Sequence, residues 1–396
     1  MPKTVLAVTS YFKGNRFLER AKRDGARVIL LTVESLREAP WARGALDDLF
    51  VMPNFSDLAE VIRGVAYLMR SRRIDHVVAL DDYDVDIGAA LREHFRLPGV
   101  GLSGARFFRD KLAMRGQARE AGLPVPEFVP LWHHDDVRQF LASVPAPWLV
   151  KPRHEASSIG IQKMYHADDV WRRIDALGDE ASYQLLERFI PSDLFHVDSI
   201  LADGKVAFAE VGSYHRPLLE VYTEGGVFAT RTTPRDLPEV ATLLDLNARL
   251  LSAFGLERGC SHTEFLRARE DGKMYFLVTS YRVGGAGIAD MVEAATGLNL
   301  WEEWAAVELA GQGEYAPPAL RQEFGGAVVS LAREEHPDSS GFCDPEVFHR
   351  LDQKSHIGLV LRSPSSERID ALLADYAARI ARDFQAVLPP SDKATA

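Results

Sequence analysis

Cysteine is scarce in this sequence, basic residues do not outnumber acidic ones, and long hydrophobic runs are lacking. The two cysteines among 396 residues, Cys260 and Cys343, lie far apart and have no neighbouring Cys/His pattern. We therefore expect no disulfide framework and no zinc site, and a reducing compartment fits. Lys and Arg total 46 against 57 Asp and Glu, whereas duplex binding depends on a surplus of Lys and Arg. We expect no nucleic-acid partner.

The apolar segments are too short to cross a bilayer, and the run Val5 to Val8 near the start is too short for a secretion signal. These features predict a cytoplasmic protein with no membrane partner. The composition, 46% apolar and 26% charged, is ordinary for a globular protein. The length predicts roughly two to four compact units.

The first hundred residues alternate between β-branched runs and helical patterns. The predicted elements are strands 4–9, 26–33, 49–51 and 76–80 and helices 15–22 and 58–69. This alternation is typical of a doubly wound parallel sheet, which binds ligands at the carboxyl ends of its strands. Four acidic residues follow the fourth strand, namely Asp81, Asp82, Asp84 and Asp86. They could bind an amine or a cation, but we interpret them as a solvated acidic loop with helix N-caps.

The rest of the chain predicts a mixture of helices and antiparallel hairpins, followed by a second βαβ-like unit from about residue 325. The predicted helices are 105–121, 237–254, 291–311 and 368–384, and the predicted strands are 183–190, 195–200, 206–209, 261–266, 273–278, 327–331 and 357–361. The tail from residue 389 is expected to be poorly ordered.

The segment around Lys151 is the strongest single indication of chemistry. Three apolar residues, 148–150, lead into Lys151-Pro152, and a loop of small and polar residues follows up to Gly160. A fixed cation beside free backbone N–H groups suits a polyphosphate. A surface Lys-Pro turn is the structural alternative for this stretch taken alone.

Four motifs, in their order along nearly the whole chain, resemble those of the ATP-grasp superfamily. They are Asp110-Lys111 with Gly122-Leu123-Pro124-Val125-Pro126; Val150-Lys151-Pro152 with Ser157-Ser158-Ile159-Gly160; Glu187-Arg188-Phe189-Ile190 with Val197-Asp198; and His262, Glu264, Asp271-Gly272 and Arg282-Val283-Gly284-Gly285. The resemblance implies an α/β ATP-grasp fold with an N-terminal doubly wound (pre-ATP-grasp) domain and a small C-terminal α/β module. The branch it resembles contains amino-acid and peptide ligases of bacterial specialised metabolism.

The resemblance also implies domains, cofactors and partners. The expected divisions are an N-terminal domain 1–102, a first ATP-grasp subdomain 103–186, a second subdomain 187–316, a C-terminal module 317–388 and a disordered tail 389–396. ATP and Mg²⁺ are the expected cofactors, and a small-molecule acid and an amine are the expected substrates. The exposed helices of the N-terminal domain leave a homodimer open.

For ATP, the resemblance assigns two lysines and a loop to the phosphates and a hinge to the base. Lys111 and Lys151 would neutralise the α- and β-phosphates, and the loop with Ser157, Ser158 and Gly160 would cover them. The adenine slot would comprise Glu187, Arg188, Phe189 and Ile190, with Glu187 or Asp193 on the base amine or ribose. Weaker candidates for the nucleotide pocket are His196, Tyr214 and Arg231.

For the reaction, the resemblance assigns catalysis to Arg282 together with Lys151. Arg282 would stabilise charge on the transferred phosphoryl group, and Gly284 and Gly285 would let the acid substrate approach the backbone. The implied activity is an ADP-forming carboxylate–amine or carboxylate–thiol ligase acting through an acyl phosphate. A small-molecule kinase, or an ATP-binding protein that acts on a partner without catalysis, remains open.

The metal site departs from the superfamily pattern. Glu264 is the expected ligand that survives, but Val278 stands where the superfamily carries a second Glu and Ser280 where it carries Asn or Ala. Three alternatives follow: an active enzyme with one protein carboxylate, helped from elsewhere by a residue such as Asp198; a nucleotide-binding protein with little turnover; or a displaced strand in which Thr279 or a distant acid fills the gap.

Overall fold

The structure is a computed structural model that describes residues 2–156 and 158–386. The tail predicted at 389–396 and the loop residue Ser157 lie outside the described residues. In what is described, three sheets with their helices form the molecule.

The N-terminal unit is the doubly wound sheet that the sequence predicted. Its elements are β1 Thr4–Thr9, α1 Asn15–Arg23, β2 Arg27–Val33, β3 Asp48–Met52, α2 Leu58–Met69, β4 His76–Ala79 and α3 Val85–Phe95. The strands are parallel in the order β3-β2-β1-β4. Alternate residues of β1 pack on opposite faces, Val5 with Phe17 of α1 and Leu6 with Val61 of α2. Both faces are therefore buried, as expected for a parallel sheet.

The helix expected over 105–121 is two helices, α4 Leu102–Arg109 and α5 Lys111–Glu120. Asp110 between them is extended, with φ −97° and ψ 107°, and its carboxylate accepts the Leu112 N–H at 3.0 Å. An Asp with this geometry is an N-cap, which satisfies an amide that has no partner within the helix. The break makes Lys111 the first residue of α5.

The second sheet is antiparallel in the order β5-β8-β6-β7. It comprises β5 Phe128–Pro130, α6 His134–Ser143, β6 Trp148–Pro152, β7 Gln162–Met164, α7 Ala167–Leu177 and β8 Gln184–Arg188. Val150 of β6 and Leu186 of β8 pack in one apolar cluster with Val137 of α6 and Val170 of α7. This packing leaves the other face of the sheet to the site described below.

The third sheet has eight strands in the order β13-β12-β9-β10-β11-β14-β16-β15. Its first part comprises β9 Ser192–Ala202, β10 Lys205–Tyr214, α8 Leu218–Glu224, β11 Phe228–Thr232, α9 Pro238–Ala253, β12 Gly259–Ala268, β13 Met274–Ser280, α10 Ile288–Thr296 and α11 Leu300–Leu309. The helix expected over 291–311 ends early at Gly297, whose φ of 80° favours glycine, and Asn299 caps the next helix.

The C-terminal strands continue this same sheet. They are β14 Phe324–Leu331, β15 Val347–Arg350 and β16 His356–Ser363, and α12 Ser366–Asp383 packs on them. β14 and β16 are antiparallel, so the βαβ-like connection expected there is wrong. No helix lies between these two strands in the described chain, whereas a parallel crossover is usually built on one. None of the helices in residues 2–156 and 158–386 is long and apolar enough to cross a membrane.

Candidate active site

A cavity of about 630 Å³ lies where the three sheets meet. The polar and glycine residues that line it include Asp82, Arg109, Lys111, Arg115, Lys151, Glu155, Ser158, Glu187, Arg188, Tyr214, His262, Glu264, Ser280, Arg282 and Gly285. Its apolar lining includes Met114, Leu149, Ile159, Phe189, Ile190, Leu194, Leu266 and Leu277. An apolar cavity with a small set of convergent charges is the usual form of a small-molecule site.

Lys151 ends β6 with only 2% of its surface exposed, and its Nζ donates to the Glu187 carboxylate on the neighbouring strand β8. Arg115 of α5, fully buried, donates from Nε to the other oxygen of Glu187 at 2.6 Å. Burial alone would raise the pKa of Glu187, but the charges of Arg115 and Lys151 hold it below its usual value. Two cations therefore share one carboxylate, which leaves one positive charge to be balanced by an anionic ligand.

Lys111 lies in the same cavity, and its Nζ donates to the backbone carbonyl of Glu155. Burial lowers the pKa of Lys111, and the nearby positive charges of Lys151 and Arg109 lower it further, to about 7. In the absence of a ligand this amine is therefore near the midpoint of its titration at neutral pH.

If the ligand is ATP, as the resemblance implies, its binding should take up a proton through Lys111. Phosphate oxygens favour the charged amine, so the pKa rises in the complex. At pH 8 the free lysine is mostly neutral, and binding should take up nearly one proton per ATP. Affinity should fall as the pH rises above about 7. Titration calorimetry at pH 8 in buffers of different ionisation enthalpy measures this uptake, and Lys111→Met should remove it. Proton release, or an uptake unchanged in that variant, would contradict the expectation.

The loop after Lys151 forms a turn at the edge of the cavity. Ser158 and Gly160 both have positive φ, 61° and 70°, and Ser158, but not Gly160, lines the cavity. A Cβ on Gly160 would lie 2.9 Å from Pro152 Cγ, so this turn needs glycine. The prediction for Ser157 cannot be described, because that residue is outside the described part of the loop.

All four predicted hinge residues, Glu187, Arg188, Phe189 and Ile190, line the cavity. The Arg188 and Phe189 N–H groups donate to the carbonyls of Glu127 and Pro147, and Lys163 Nζ lies 3.6 Å from the centre of the Phe189 ring. The carboxylate of Glu187 is already held by Lys151 and Arg115.

Three other predicted nucleotide residues do not line the cavity. Asp193 is partly exposed and pairs with Arg267 and Arg269. Arg231 pairs with Asp370 of α12, and His196 is fully buried within the third sheet. Side chains alternate between the two faces of a strand, but this alternation does not show which face borders the cavity. The sequence therefore could not place these three side chains.

Glu264 lines the cavity from β12, directly opposite Val278 on β13. Val278, Ser280 and Arg282 line it as well, so the strand is not displaced and Thr279, which is fully buried, bonds Thr263 instead. Of the three alternatives for the metal site, the displaced strand with Thr279 as a ligand is therefore wrong.

A buried network lies beneath Glu264. Asp198 bonds Nδ1 of His196 at 2.6 Å and Nδ1 of His262 at 2.9 Å, and the Tyr214 hydroxyl donates to Glu264 at 2.9 Å. Burial lowers the pKa of His262, but the charge and hydrogen bond of Asp198, together with a hydrogen bond to Glu264, outweigh burial and raise it to about 9. Asp198 and His196 are both fully buried and neither lines the cavity. Asp198, the example given for help at the metal in one of the three alternatives, therefore does not reach the cavity itself. It bonds His262, whose Nε2 lies 3.5 Å from Glu264.

Arg282 lines the cavity, and its Nη1 donates to the Val283 carbonyl at 3.0 Å. Gly285 lines it too, and a Cβ there would meet nothing within 4 Å. Gly284 is buried instead, and a Cβ would lie 2.7 Å from the Asp198 carboxylate and 3.0 Å from His262. The expected role of Gly284 beside the substrate is corrected: glycine is needed there to make room for the buried network.

The acidic loop after β4 is buried, so our expectation of a solvated loop is wrong. Asp81, Asp82 and Asp84 are 3%, 7% and 1% exposed. Asp81 accepts the Tyr83 N–H at 2.9 Å, as expected of a cap, and Asp84 accepts from the N–H and the hydroxyl of Ser10. Asp82 alone of these three lines the cavity. The carboxyl edge of the parallel sheet thus closes the site, a placement that the linear sequence did not reveal.

An antiparallel sheet that faces a smaller one across a cationic cavity, with a parallel α/β domain at its edge, is the ATP-grasp architecture. The chain has the ATP-grasp fold, and its sequence is similar to that of an amino acid ligase. No protein-family model matches the chain.

Among curated proteins, the chain is 24% identical to the L-arginine-specific L-amino acid ligase of Bacillus subtilis over 293 residues, which is 72% of this chain and 70% of that protein. It also matches D-alanine–D-alanine ligases, such as that of Pseudomonas putida, of which it covers 64%, slightly less than two thirds.

Among solved structures, an L-amino acid ligase from Bacillus licheniformis matches with a TM-score of 0.75 at 18% identity. The match covers 98% of this chain and 99% of the chain of that ligase. An N5-carboxyaminoimidazole synthetase from Staphylococcus aureus, solved with ADP, has a TM-score of 0.74 at 13% identity, covering 96% and 98%. At these identities the two structures establish the fold alone.

Proposed function

We propose that the protein is an ATP-dependent, ADP-forming ligase that joins the carboxylate of a small molecule, an amino acid or a peptide to an amine. The observation that carries the proposal is the convergence of Lys111, Lys151 and Arg282 on one cavity that also holds Glu264. The relatedness to amino acid ligases supports amine ligation. The division into domains at 102, 186 and 316, a cytoplasmic location and a homodimer remain proposals.

In this proposal ATP lies between the second and third sheets. The surplus positive charge of Lys151 and the amine of Lys111 bind the phosphates, and the loop of Ser158 excludes water. The adenine ring fits between apolar side chains such as Leu149 and Leu277, beside the hinge at Phe189.

The substrate carboxylate attacks the γ-phosphorus, the bond to the β-phosphate oxygen breaks, and ADP and an acyl phosphate form. An amine then attacks the acyl carbon, loses a proton, and releases phosphate. Both steps concentrate negative charge near Arg282, whose guanidinium supplies fixed N–H donors. Lys151, already oriented by Glu187, does not need to reorganise to receive the phosphates.

The residues of this chain fit one Mg²⁺ ion rather than two. Glu264 provides a carboxylate on the cavity, and phosphate oxygens and water can complete an octahedron. Val278 opposite it provides no oxygen and Ser280 only a hydroxyl. Mg²⁺, when bound, would neutralise phosphate charge, and Tyr214 orients Glu264 for that purpose through its hydroxyl.

Val278→Glu should strengthen the dependence of ATP binding on Mg²⁺. The new carboxylate would lie opposite Glu264 in the strand register, and two carboxylates hold a divalent cation better than one. We expect the ratio of the ATP dissociation constants without and with Mg²⁺ to rise about tenfold by calorimetry, roughly the effect of one charged ligand. Val278→Gln, of the same size without the charge, is the control, and equal ratios in the two variants would contradict a metal at this position.

The function itself is tested by measuring ADP release with acids and amines supplied singly and in pairs. Release that requires both supports a ligase. Release with an acid or alcohol alone identifies a kinase. ATP binding without release under any pairing would favour a nucleotide-binding partner protein, the alternative that the missing carboxylate at Val278 keeps open.

A further inference from the structure

Glu155 lines the cavity but has no part in the two steps of the proposed reaction. It lies in the loop that follows Lys151 and is partly buried. Among the residues that the structure describes, its carboxylate has a hydrogen bond from Tyr83 and no lysine or arginine partner. It is therefore an acceptor that no positive charge of the chain neutralises.

The position of Glu155 is fixed at two points. Its backbone carbonyl accepts from Lys111 Nζ, and its Oε2 accepts from the Tyr83 hydroxyl at 3.3 Å. The Tyr83 ring is itself stacked on Tyr11, with 5.5 Å between the ring centres, and the Arg109 guanidinium lies 5.0 Å from the centre of the Tyr83 ring. Burial and the charge of Glu155 raise the pKa of Tyr83 to about 12. The hydroxyl therefore keeps its proton and orients the carboxylate.

Three other carboxylates line the cavity in the described chain, and each is already engaged. Asp82 pairs with Arg109 at 2.8 Å, and Glu187 is shared by two cations. Burial alone would raise the pKa of Asp82 and of Glu187, but neighbouring positive charges hold both below the usual value. Glu264 accepts from Tyr214 and is the proposed metal ligand. These three carboxylates are poorly suited to take up a proton.

The nitrogen and phenol groups of the described cavity are engaged as well. The ring nitrogens of His262 lie 2.9 Å from the Asp198 carboxylate and 3.3 Å from the Tyr214 hydroxyl, and that hydroxyl donates to the proposed metal ligand. Lys111 is expected to bind the phosphates, where a charged amine has no lone pair to offer. Glu155 is the group that remains free to accept a proton.

The second step of the proposed reaction needs such a group. At neutral pH an aliphatic amine is mostly an ammonium ion, which has no lone pair for attack until it loses a proton. Glu155 is held by Lys111, the proposed phosphate lysine, and belongs to the loop proposed to cover the phosphates. Its carboxylate is therefore placed near the acyl phosphate that the amine attacks, and a positioned carboxylate can act as a general base.

We propose that Glu155 binds the ammonium group of the amine substrate and accepts the proton that this group loses before it attacks the acyl phosphate. This inference rests on the proposed ligase function. An anionic acceptor attracts a nucleophile that arrives as a cation. The assignment therefore favours an amine over a thiol, which carries no positive charge.

The proton and electron pairs balance as follows. One N–H bond breaks and its proton moves to a Glu155 carboxylate oxygen, and the freed lone pair forms the C–N bond. The bond between the acyl carbon and the phosphate oxygen breaks, and its electron pair leaves with the phosphate. The phosphate takes up the second amine proton and then the proton held by Glu155. One ammonium ion and one acyl phosphate dianion thus give one amide and one dihydrogen phosphate ion.

The test compares two nucleophiles, using the full-length protein, Mg·ATP and an acid and amine pair that supports ADP release. One nucleophile is the amine of that pair, and the other is hydroxylamine, which is uncharged at neutral pH and needs no base. Glu155→Gln should lower the rate of amide formation by about a hundredfold or more, within the range of general base catalysis. The rate of hydroxamate formation and the ATP affinity should stay within about threefold. Glu180→Gln, at an exposed position away from the cavity, should change neither rate.

The pH dependence of the same variant provides a second measurement. In Glu155→Gln the rate of amide formation should rise about tenfold per pH unit below the pKa of the amine, because only the uncharged amine reacts without a base. The deficit relative to the unaltered protein should therefore shrink as the pH rises. Glu155→Asp should recover part of the rate at neutral pH.

Equal losses with both nucleophiles in Glu155→Gln would show that Glu155 only shapes the loop, and would overturn the proposal. An unchanged rate of amide formation, or a deficit that persists at high pH, would overturn it too. If Glu155→Gln does not bind ATP, Tyr83→Phe decides. That variant loses only the orienting hydrogen bond and should slow amide formation about tenfold while sparing hydroxamate formation, and equal effects on both would refute the role of Glu155.

The unaltered protein separates this proposal from the ligase function. Formation of hydroxamate supports an acyl phosphate whatever the variants show, so the ligase proposal stands even if Glu155 is not the base. If the unaltered protein forms neither hydroxamate nor amide with any acid, both proposals are rejected.

Discussion

Arg282→Met should lower the turnover number for ADP release by about a hundredfold or more, and should leave ATP affinity within about twofold. The Arg282 guanidinium lines the cavity and donates one N–H to the Val283 carbonyl. This bond holds the group in place, and its other N–H donors are not used on that carbonyl. Removing a fixed donor from developing negative charge costs about 10² to 10³ in rate. Methionine keeps much of the side-chain volume and so preserves packing.

Steady-state kinetics with saturating ATP and a substrate pair that supports release measure this effect. Arg249→Met is the matched control, since Arg249 is half exposed on α9 and pairs only weakly with Asp245 at 3.4 Å. Arg282→Lys should recover part of the rate, because a charge without the planar fork replaces only part of the interaction. A turnover number that stays within threefold of the original in Arg282→Met would remove Arg282 from the mechanism.

Lys151→Met should weaken ATP binding by about tenfold or more, the effect expected when a contact between a lysine and a phosphate is lost. Lys151 and Arg115 share the Glu187 carboxylate, and the lysine supplies the surplus charge. After the substitution Glu187 keeps Arg115 at 2.6 Å, so no charge is left buried alone. We therefore expect the variant to fold and to lose affinity for ATP rather than stability.

Calorimetric titration of ATP in the presence of Mg²⁺ measures the loss, and thermal melting of the same samples checks the fold. Lys205→Met, at an exposed position on β10, provides the control for removing one lysine. An ATP affinity that is the same in Lys151→Met and in the control would show that Lys151 is only a structural partner of Glu187.

These predictions differ in how much of their basis was available from the sequence. Lys151 could be found because a short apolar strand, a lysine and a small-residue loop are consecutive in the chain. The hinge at Glu187 to Ile190 was implied by the resemblance to the ATP-grasp superfamily, and period-two alternation gave the face of β13 that carries Val278 and Ser280. Local patterns of this kind survive folding, because each is a property of one strand and its flanking turn.

Other features could not be predicted from the sequence, because they depend on partners that are distant in the chain. Whether Asp82 is solvated or buried depends on Arg109 and on β13, roughly two hundred residues away, so the loop sequence favoured solvation. Gly284 was predicted to lie beside the substrate, yet glycine is needed at this position because Asp198 and His262 pack against it. Asp193 and Arg231 carry suitable charges but are paired outside the cavity, with Arg267 and Asp370.

The sequence by itself determined the doubly wound start of the chain. The resemblance to the ATP-grasp superfamily added the order of the four motifs, the candidate lysines Lys111 and Lys151 and the absence of a carboxylate at Val278. The periodicity of apolar residues is sufficient for the strands and helices, whereas the motifs were found by comparing consecutive residues with those of a known superfamily. Only the tertiary structure decided that β14 to β16 extend the third sheet, that Lys151 and Arg115 share Glu187, and that Asp82 is buried at the cavity beside Arg109. Such features arise from contacts between elements, where burial and charge pairing act together, and no single segment contains both partners.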